Sequence, residues 1–258
     1  MTAKIRKLTR QFSPTHQTKY KNLLVSGCSF VWNNSEQHLC TWPYYLRDLA
    51  KFDEVYDCSQ SGAGTNHIFN SVINEIETND NITPESTLIV VMWSKLTRTD
   101  VIATNDITRP WHSMSNYNFN DKFATLSLFR YSNDKNKLDL VNNLCKQYHR
   151  VVDSDAQMYE SLLKIISLNS YLKEKKYEFI FLTDFDIHSE VAELQTVLKD
   201  TALNTISDVI DLNSYAINTN QQIPNDGHPT PDAHLTWAKK YLLPYLTTLE
   251  LTTDLNPI

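Results

Sequence analysis

The chain has 258 residues, 41% of them hydrophobic and 21% charged, enough for a sizeable core in one large domain. A formal net charge of −6 excludes a global electrostatic pull toward nucleic acid. No apolar run is long enough for a transmembrane helix, so neither a nucleic-acid nor a membrane partner is expected.

Residues 1–20 read as a basic arm. No acid occurs before Glu36, while Lys4, Arg6, Lys7, Arg10, Lys19 and Lys21 are basic. The plain reading is a solvated arm, and the alternative is docking onto an acidic partner. No apolar segment with a small-residue cleavage site follows it, so a signal peptide is not expected. Cys28, Cys40, Cys58 and Cys145 show no C-x-x-C spacing, which points to reduced thiols rather than zinc or a disulfide framework. The expected setting is cytoplasmic.

Five short apolar runs rich in Val and Ile predict buried strands near 22–26, 54–58, 87–93, 178–183 and 207–212. Helical periods fall between and after them. Phe69, Val72, Ile73 and Ile76 make one face, and Met158, Leu162, Ile165, Ile166 and Leu172 a second. Trp237, Ala238, Tyr241, Leu242 and Tyr245 make a third. Strands alternating with helices predict a three-layer α/β/α sandwich around a mostly parallel, five-stranded sheet. Residues 95–155 break the rhythm and read as an insertion over the strand carboxyl ends, within a single domain spanning 1–258.

Ligands of open parallel sheets bind at the strand carboxyl ends, and the chemical residues fall there. Gly27-Cys28-Ser29 follows the first run, "SQSGAGTN" the second, and "PNDGHPTPDAH" the fifth, while "MWSKLTR" closes the third. Three of the chain's 4 glycines lie in the first two of these segments and the fourth in "PNDGHP". A nucleophilic serine needs a base, a group that orients the base, and donors for the oxyanion. Ser29 supplies a hydroxyl and His228 an imidazole, with Asp226 or Asn225 to orient it. Backbone N–H groups at Ser29, Gly62 and Gly64, together with the Ser94 hydroxyl, are the candidate oxyanion donors. Trp93, Arg98 and Asn66 are candidate substrate contacts. Cys28 is the alternative nucleophile. Asp184 and Asp186 are an i, i+2 carboxylate pair without further ligands, so no metal and no cofactor are expected. Thr230-Pro231 reads as a helix start. It leaves His228 in the preceding loop as the base and puts His234 on the apolar stripe as a structural residue.

These blocks resemble those of the SGNH (GDSL-like) hydrolases. The family's G-D-S block corresponds to Gly27-Cys28-Ser29, its oxyanion glycine to Gly62 or Gly64, and its D-x-x-H-P block to "NDGHP". "SGCSF", "WPYYL", "SGAGTN" and "DGHPTPDAH" resemble, more closely, a branch associated with bacteriophages. The resemblance implies a flavodoxin-like sandwich and a serine esterase or deacylase acting on a small acyl ester, including an O-acyl group on a carbohydrate. Two departures stand out. The usual G-x-N-D block is replaced by "VVMWSKLTR", which has no Asn, and Asp226 lies two rather than three residues before the histidine. The alternative is a non-catalytic binding or structural module on the same fold, for example in a phage assembly.

Overall fold

The computed structural model describes residues 17–32, 40–102, 111–114, 118–119, 122–123, 154–184, 211–223 and 227–248. In chain order these form β1 (Asn22–Ser26), α1 (Trp42–Ala50), β2 (Glu54–Asp57), α2 (Thr65–Thr78) and β3 (Thr87–Trp93). Four short strands follow: β4 (Thr99–Ile102), β5 (Trp111–Met114), β6 (Asn118–Phe119) and β7 (Lys122–Phe123). The rest are α3 (Ser154–Glu174), β8 (Glu178–Thr183), α4 (Leu212–Asn218) and α5 (Pro231–Trp237). The last of these runs on through a π-helical turn, Ala238–Leu242, to residue 248.

Every strand of the main sheet is parallel to its neighbours, in the order β2-β1-β3-β8. Parallel pairing demands crossovers, which α1, α2 and α3 supply. Chain order reverses direction between β1 and β3, and such a switch point opens a crevice at the strand carboxyl ends.

Side chains alternate across the sheet and build two cores. On one face Leu23, Val25, Leu88, Val90 and Met92 pack with Trp42 and Leu46 of α1, Leu212 and Tyr215 of α4, and Trp237 of α5. On the other, Leu24, Ile89, Val91 and Phe181 pack with Ile68 and Val72 of α2 and Leu162, Ile165 and Leu168 of α3. Each fully buried side chain of this size contributes about 1.5–3 kcal/mol, so both faces are held by ordinary apolar burial. The three-layer α/β/α sandwich is therefore what the structure has.

The sheet differs from the five strands expected: among the described residues it has four. Of the fifth predicted strand, residues 207–210 lie outside the described residues. Asp211 and Leu212 start a helix instead, because the Asp211 carboxylate accepts from the Ser214 N–H at 2.7 Å and caps α4. The periodicity also did not announce α1. Its signals are Pro43 in the first turn and Trp42, Leu46 and Ala50 at i, i+4 and i+8, all buried. Within 95–155, β4 and β5 pair antiparallel, and much of the rest lies outside the described residues. Of the basic arm, residues 1–16 lie outside them too.

Candidate active site

The turn after β1 is built on close packing. A Cβ at Gly27 would sit 2.9 Å from the Met92 carbonyl oxygen of β3 and would also overlap Val31 Cγ2, so only glycine lets the chain pass here. The Val31 and Trp32 N–H groups both donate to the Cys28 carbonyl at 3.0 Å, curling the chain back on itself. Ser29 stands at the crest of this turn, half-buried. The opposing wall is a second clamp. Ile223 N–H donates to the His228 carbonyl at 2.7 Å, Thr230 N–H to the Gln221 carbonyl at 2.8 Å, and Gly227 takes φ 77 just before the histidine. These bonds hold the His228 ring against Phe30, with centroids 5.3 Å apart.

His228 Nε2 lies 2.7 Å from Ser29 Oγ, joining residues 199 positions apart. That is hydrogen-bond distance for a hydroxyl donating to a neutral imidazole, the geometry a base needs to take the serine's proton. Asp226 and Asn225, the residues expected to orient the imidazole, lie outside the described residues.

His234 is a different object. It is buried on α5, and its Nδ1 accepts the Trp42 N–H at 3.3 Å. Thr41 makes no side-chain cap, so this imidazole satisfies one of the donors at the start of α1. Burial, with the neighbouring His228 as a smaller cause, holds its pKa down to about 3. At neutral pH it is therefore an uncharged acceptor. Its helix begins as the sequence implies, with the Thr230 hydroxyl accepting from the Ala233 N–H at 3.2 Å and Pro231 in the first turn.

Cys28 does not face the site. Its side chain is wholly buried and its thiol donates to Asp184 Oδ2 at 3.0 Å. Burial, reinforced by the Asp184 charge, pushes the thiol up to about 12, so it carries no appreciable thiolate at neutral pH. Asp184 is itself buried; burial raises its pKa while the Arg98 charge pulls it down. Among the described residues no group of three or more His, Cys, Asp or Glu side chains is arranged to hold a metal ion.

The candidate oxyanion donors divide. Among the described residues the Ser29 and Gly62 N–H groups have no hydrogen-bond partner, and Gln60 N–H donates to the Gly27 carbonyl at 3.1 Å, tying the Gly62 turn to the serine turn. Gly64 is a correction. Its N–H donates to Asp100 Oδ1 at 2.8 Å, and His67 N–H donates to Oδ2 at 2.8 Å, so Asp100 caps α2 and takes the amide meant for the oxyanion. Ser94 is fully buried, and its hydroxyl lacks a partner among the described residues.

The expected substrate contacts are also corrected in part. Trp93 is a core residue, fully buried and packed edge-on against Phe181 at 5.5 Å. Arg98 is 5% exposed and donates from Nη1 to the Ala63 carbonyl at 3.2 Å, which ties it to the glycine loop instead of solvent. Asn66 lies half-buried in the first turn of α2. Sequence reasoning missed Asp100 and Phe30 as site-building residues. Asp100 had no local signal, because the partners it caps lie 36 and 33 positions away.

No protein-family model matches the chain, and no curated protein matches it. Solved structures do. A member of the lipolytic G-D-S-L family from Veillonella parvula matches at 13% identity and a TM-score of 0.44, over 85% of this chain and 96% of that one. The psychrotrophic esterase EstA from Pseudoalteromonas sp., inhibited by monoethylphosphonate, matches at 11% and 0.45, over 88% and 99%. A GDSL-like lipase from Bacteroides thetaiotaomicron matches at 13% and 0.42, over 89% of each chain. At these scores nothing about chemistry is carried over from them.

Proposed function

We propose that this chain is a serine hydrolase of the SGNH kind, which cleaves a small acyl ester through an acyl-enzyme on Ser29. The observation that carries the reading is the 2.7 Å approach of His228 Nε2 to Ser29 Oγ at a strand carboxyl end. His228 takes the hydroxyl proton as Oγ attacks the ester carbonyl, and returns it to the leaving alkoxide. The Ser29 and Gly62 N–H groups receive the oxyanion. Asp226 orients the imidazole and stabilises it once protonated. Water, activated by the same histidine, then releases the acid and restores Ser29. An O-acyl group on a carbohydrate is the substrate class proposed first, in a cytoplasmic or viral setting.

A second reading has a specific observation behind it. The Gly64 amide is held by Asp100 and the Ser94 hydroxyl is buried, so two of the four candidate oxyanion donors do not face a substrate. That favours a binding module which keeps the serine–histidine contact without turnover. Labelling with a fluorophosphonate decides between them. An active hydrolase labels on Ser29, loses the label in Ser29→Ala, and hydrolyses short acyl esters. A folded wild type that takes no label beside a control esterase that does would leave the binding module standing.

A further inference from the structure

We infer that Asp184 is a positioning residue for Ser29, acting through the Cys28 thiol; this rests on reading Ser29 as the nucleophile. Asp184 directly follows β8, and its N–H donates to the Trp93 carbonyl at 3.2 Å, extending the β3–β8 ladder by one residue. In the sheet β3 lies between β8 and β1. The bond from Cys28 Sγ to Asp184 Oδ2, 3.0 Å long, therefore reaches across the end of β3 and fastens the serine turn to a strand two places away.

The surroundings argue against mere packing. A thiol is a weak donor, and a buried carboxylate held by one thiol is poorly compensated. Asp184 Oδ1 has no partner among the described residues. A position needed only for stability is served as well by apolar side chains. Here the carboxylate lies in the electrostatic reach of Arg98, whose Nη1 holds the Ala63 carbonyl between Gly62 and Gly64. Cys28 is in that reach too. One buried polar set thus links the glycine loop to the residue directly before Ser29.

The backbone of the turn is held by the Gln60 N–H on the Gly27 carbonyl and by the Val31 and Trp32 N–H groups on the Cys28 carbonyl, and the Ser29 hydroxyl by His228. Asp184 adds the tie from the Cys28 side chain to β8. Removing that bond lets the Ser29 crest settle differently on the turn, and a shift on the order of 1 Å costs up to about a hundredfold in rate.

The test is the second-order rate of fluorophosphonate labelling at Ser29, located by peptide mass spectrometry and normalised to the fraction of folded protein. The variants are Cys28→Ala, Cys28→Ser, Asp184→Ala and the Cys28→Ala/Asp184→Ala double. The expected result is a fall of about tenfold or more in Cys28→Ala. Cys28→Ser, which keeps a donor for the carboxylate, recovers most of the rate. The double variant labels no more slowly than Cys28→Ala, because both changes remove one bond. If Asp184→Ala does not fold, the two Cys28 variants decide alone. Wild-type labelling in folded Cys28→Ala overturns the inference, as does an equal loss in Cys28→Ala and Cys28→Ser. If wild type itself takes no label, the nucleophile reading falls and takes this inference with it. Labelled wild type with equally labelled Cys28→Ala sinks the inference alone.

Discussion

The turns after β1 and β2 begin alike and end differently. Both leave a parallel strand at the same edge of the sheet, and both carry a glycine pressed against a neighbouring backbone: Gly27 on the Met92 carbonyl, Gly64 on the Arg98 carbonyl. After β1 the packing leaves a hydroxyl on the crest, facing a histidine. After β2 the chain enters a helix whose first amides are closed by Asp100. Close packing of a glycine thus does not by itself mark a reactive amide. What differs is which side chain the rest of the fold brings to meet it.

The largest effects should come from separating Ser29 and His228. Ser29→Ala and His228→Ala are each expected to lower ester hydrolysis by about 10⁴-fold or more, and the double variant by little further, because the two act as a unit. Steady-state kinetics with a short acyl ester would show this, and additive losses would break the pairing.

Next comes Gly27→Ala. Its methyl meets backbone at the Met92 carbonyl, so the variant should lose roughly 1–3 kcal/mol in denaturant unfolding. Should it unfold like wild type, the turn is looser than its contacts indicate.

At the other turn, Asp100→Ala removes two caps from α2 and should cost about 1–2 kcal/mol in the same measurement. It also releases the Gly64 N–H. A gain in turnover in this variant would mean that Asp100 withholds a donor, which would sharpen the contrast between the two turns.

The effect at His234 is negligible at neutral pH and grows only as the solution is acidified. Its folded pKa is held near 3, against an ordinary value of 6.5. Between those values the unfolded chain binds the extra proton, so stability present above the unfolded value is lost as pH falls through this window. The contribution is about 1.4 kcal/mol for each pH unit. His234→Gln keeps an acceptor for the Trp42 N–H but does not titrate. Its melting temperature should therefore fall less than that of wild type between about pH 7 and pH 5; parallel curves would refute the buried neutral imidazole.

Much of the frame was legible because it is written in local pattern. The runs that became β1, β3 and β8 are apolar through their middles, β2 is marked only by Val55 and Tyr56, and α2, α3 and α5 carry their periods openly. The start of α5 could be read from Thr230-Pro231 alone. Only the end of the strand expected at 207–212 is among the described residues, and there Asp211 with Ser214 three residues on is a helix signal that the apolar "VIDL" concealed. At the rim, block order placed Ser29 and His228 on the same edge of the sheet, but it could not weigh burial. Trp93 closes an apolar strand, and on that ground alone belongs to the core. Gly64 looked available because its partner, Asp100, arrives from another element.

The contact between Ser29 and His228 spans 199 positions, and this sets an order of events during synthesis. Domains fold as units while the chain emerges N-terminus first. The serine turn, β1 and β2 leave the ribosome long before the 221–230 clamp does, and a nascent chain carries the hydroxyl without its base. A chain interrupted anywhere before that clamp also lacks Trp237, Ala238 and Leu242, which close one face of the sheet. On the hydrolase reading such truncated products lack the base as well as part of the apolar cover of the sheet.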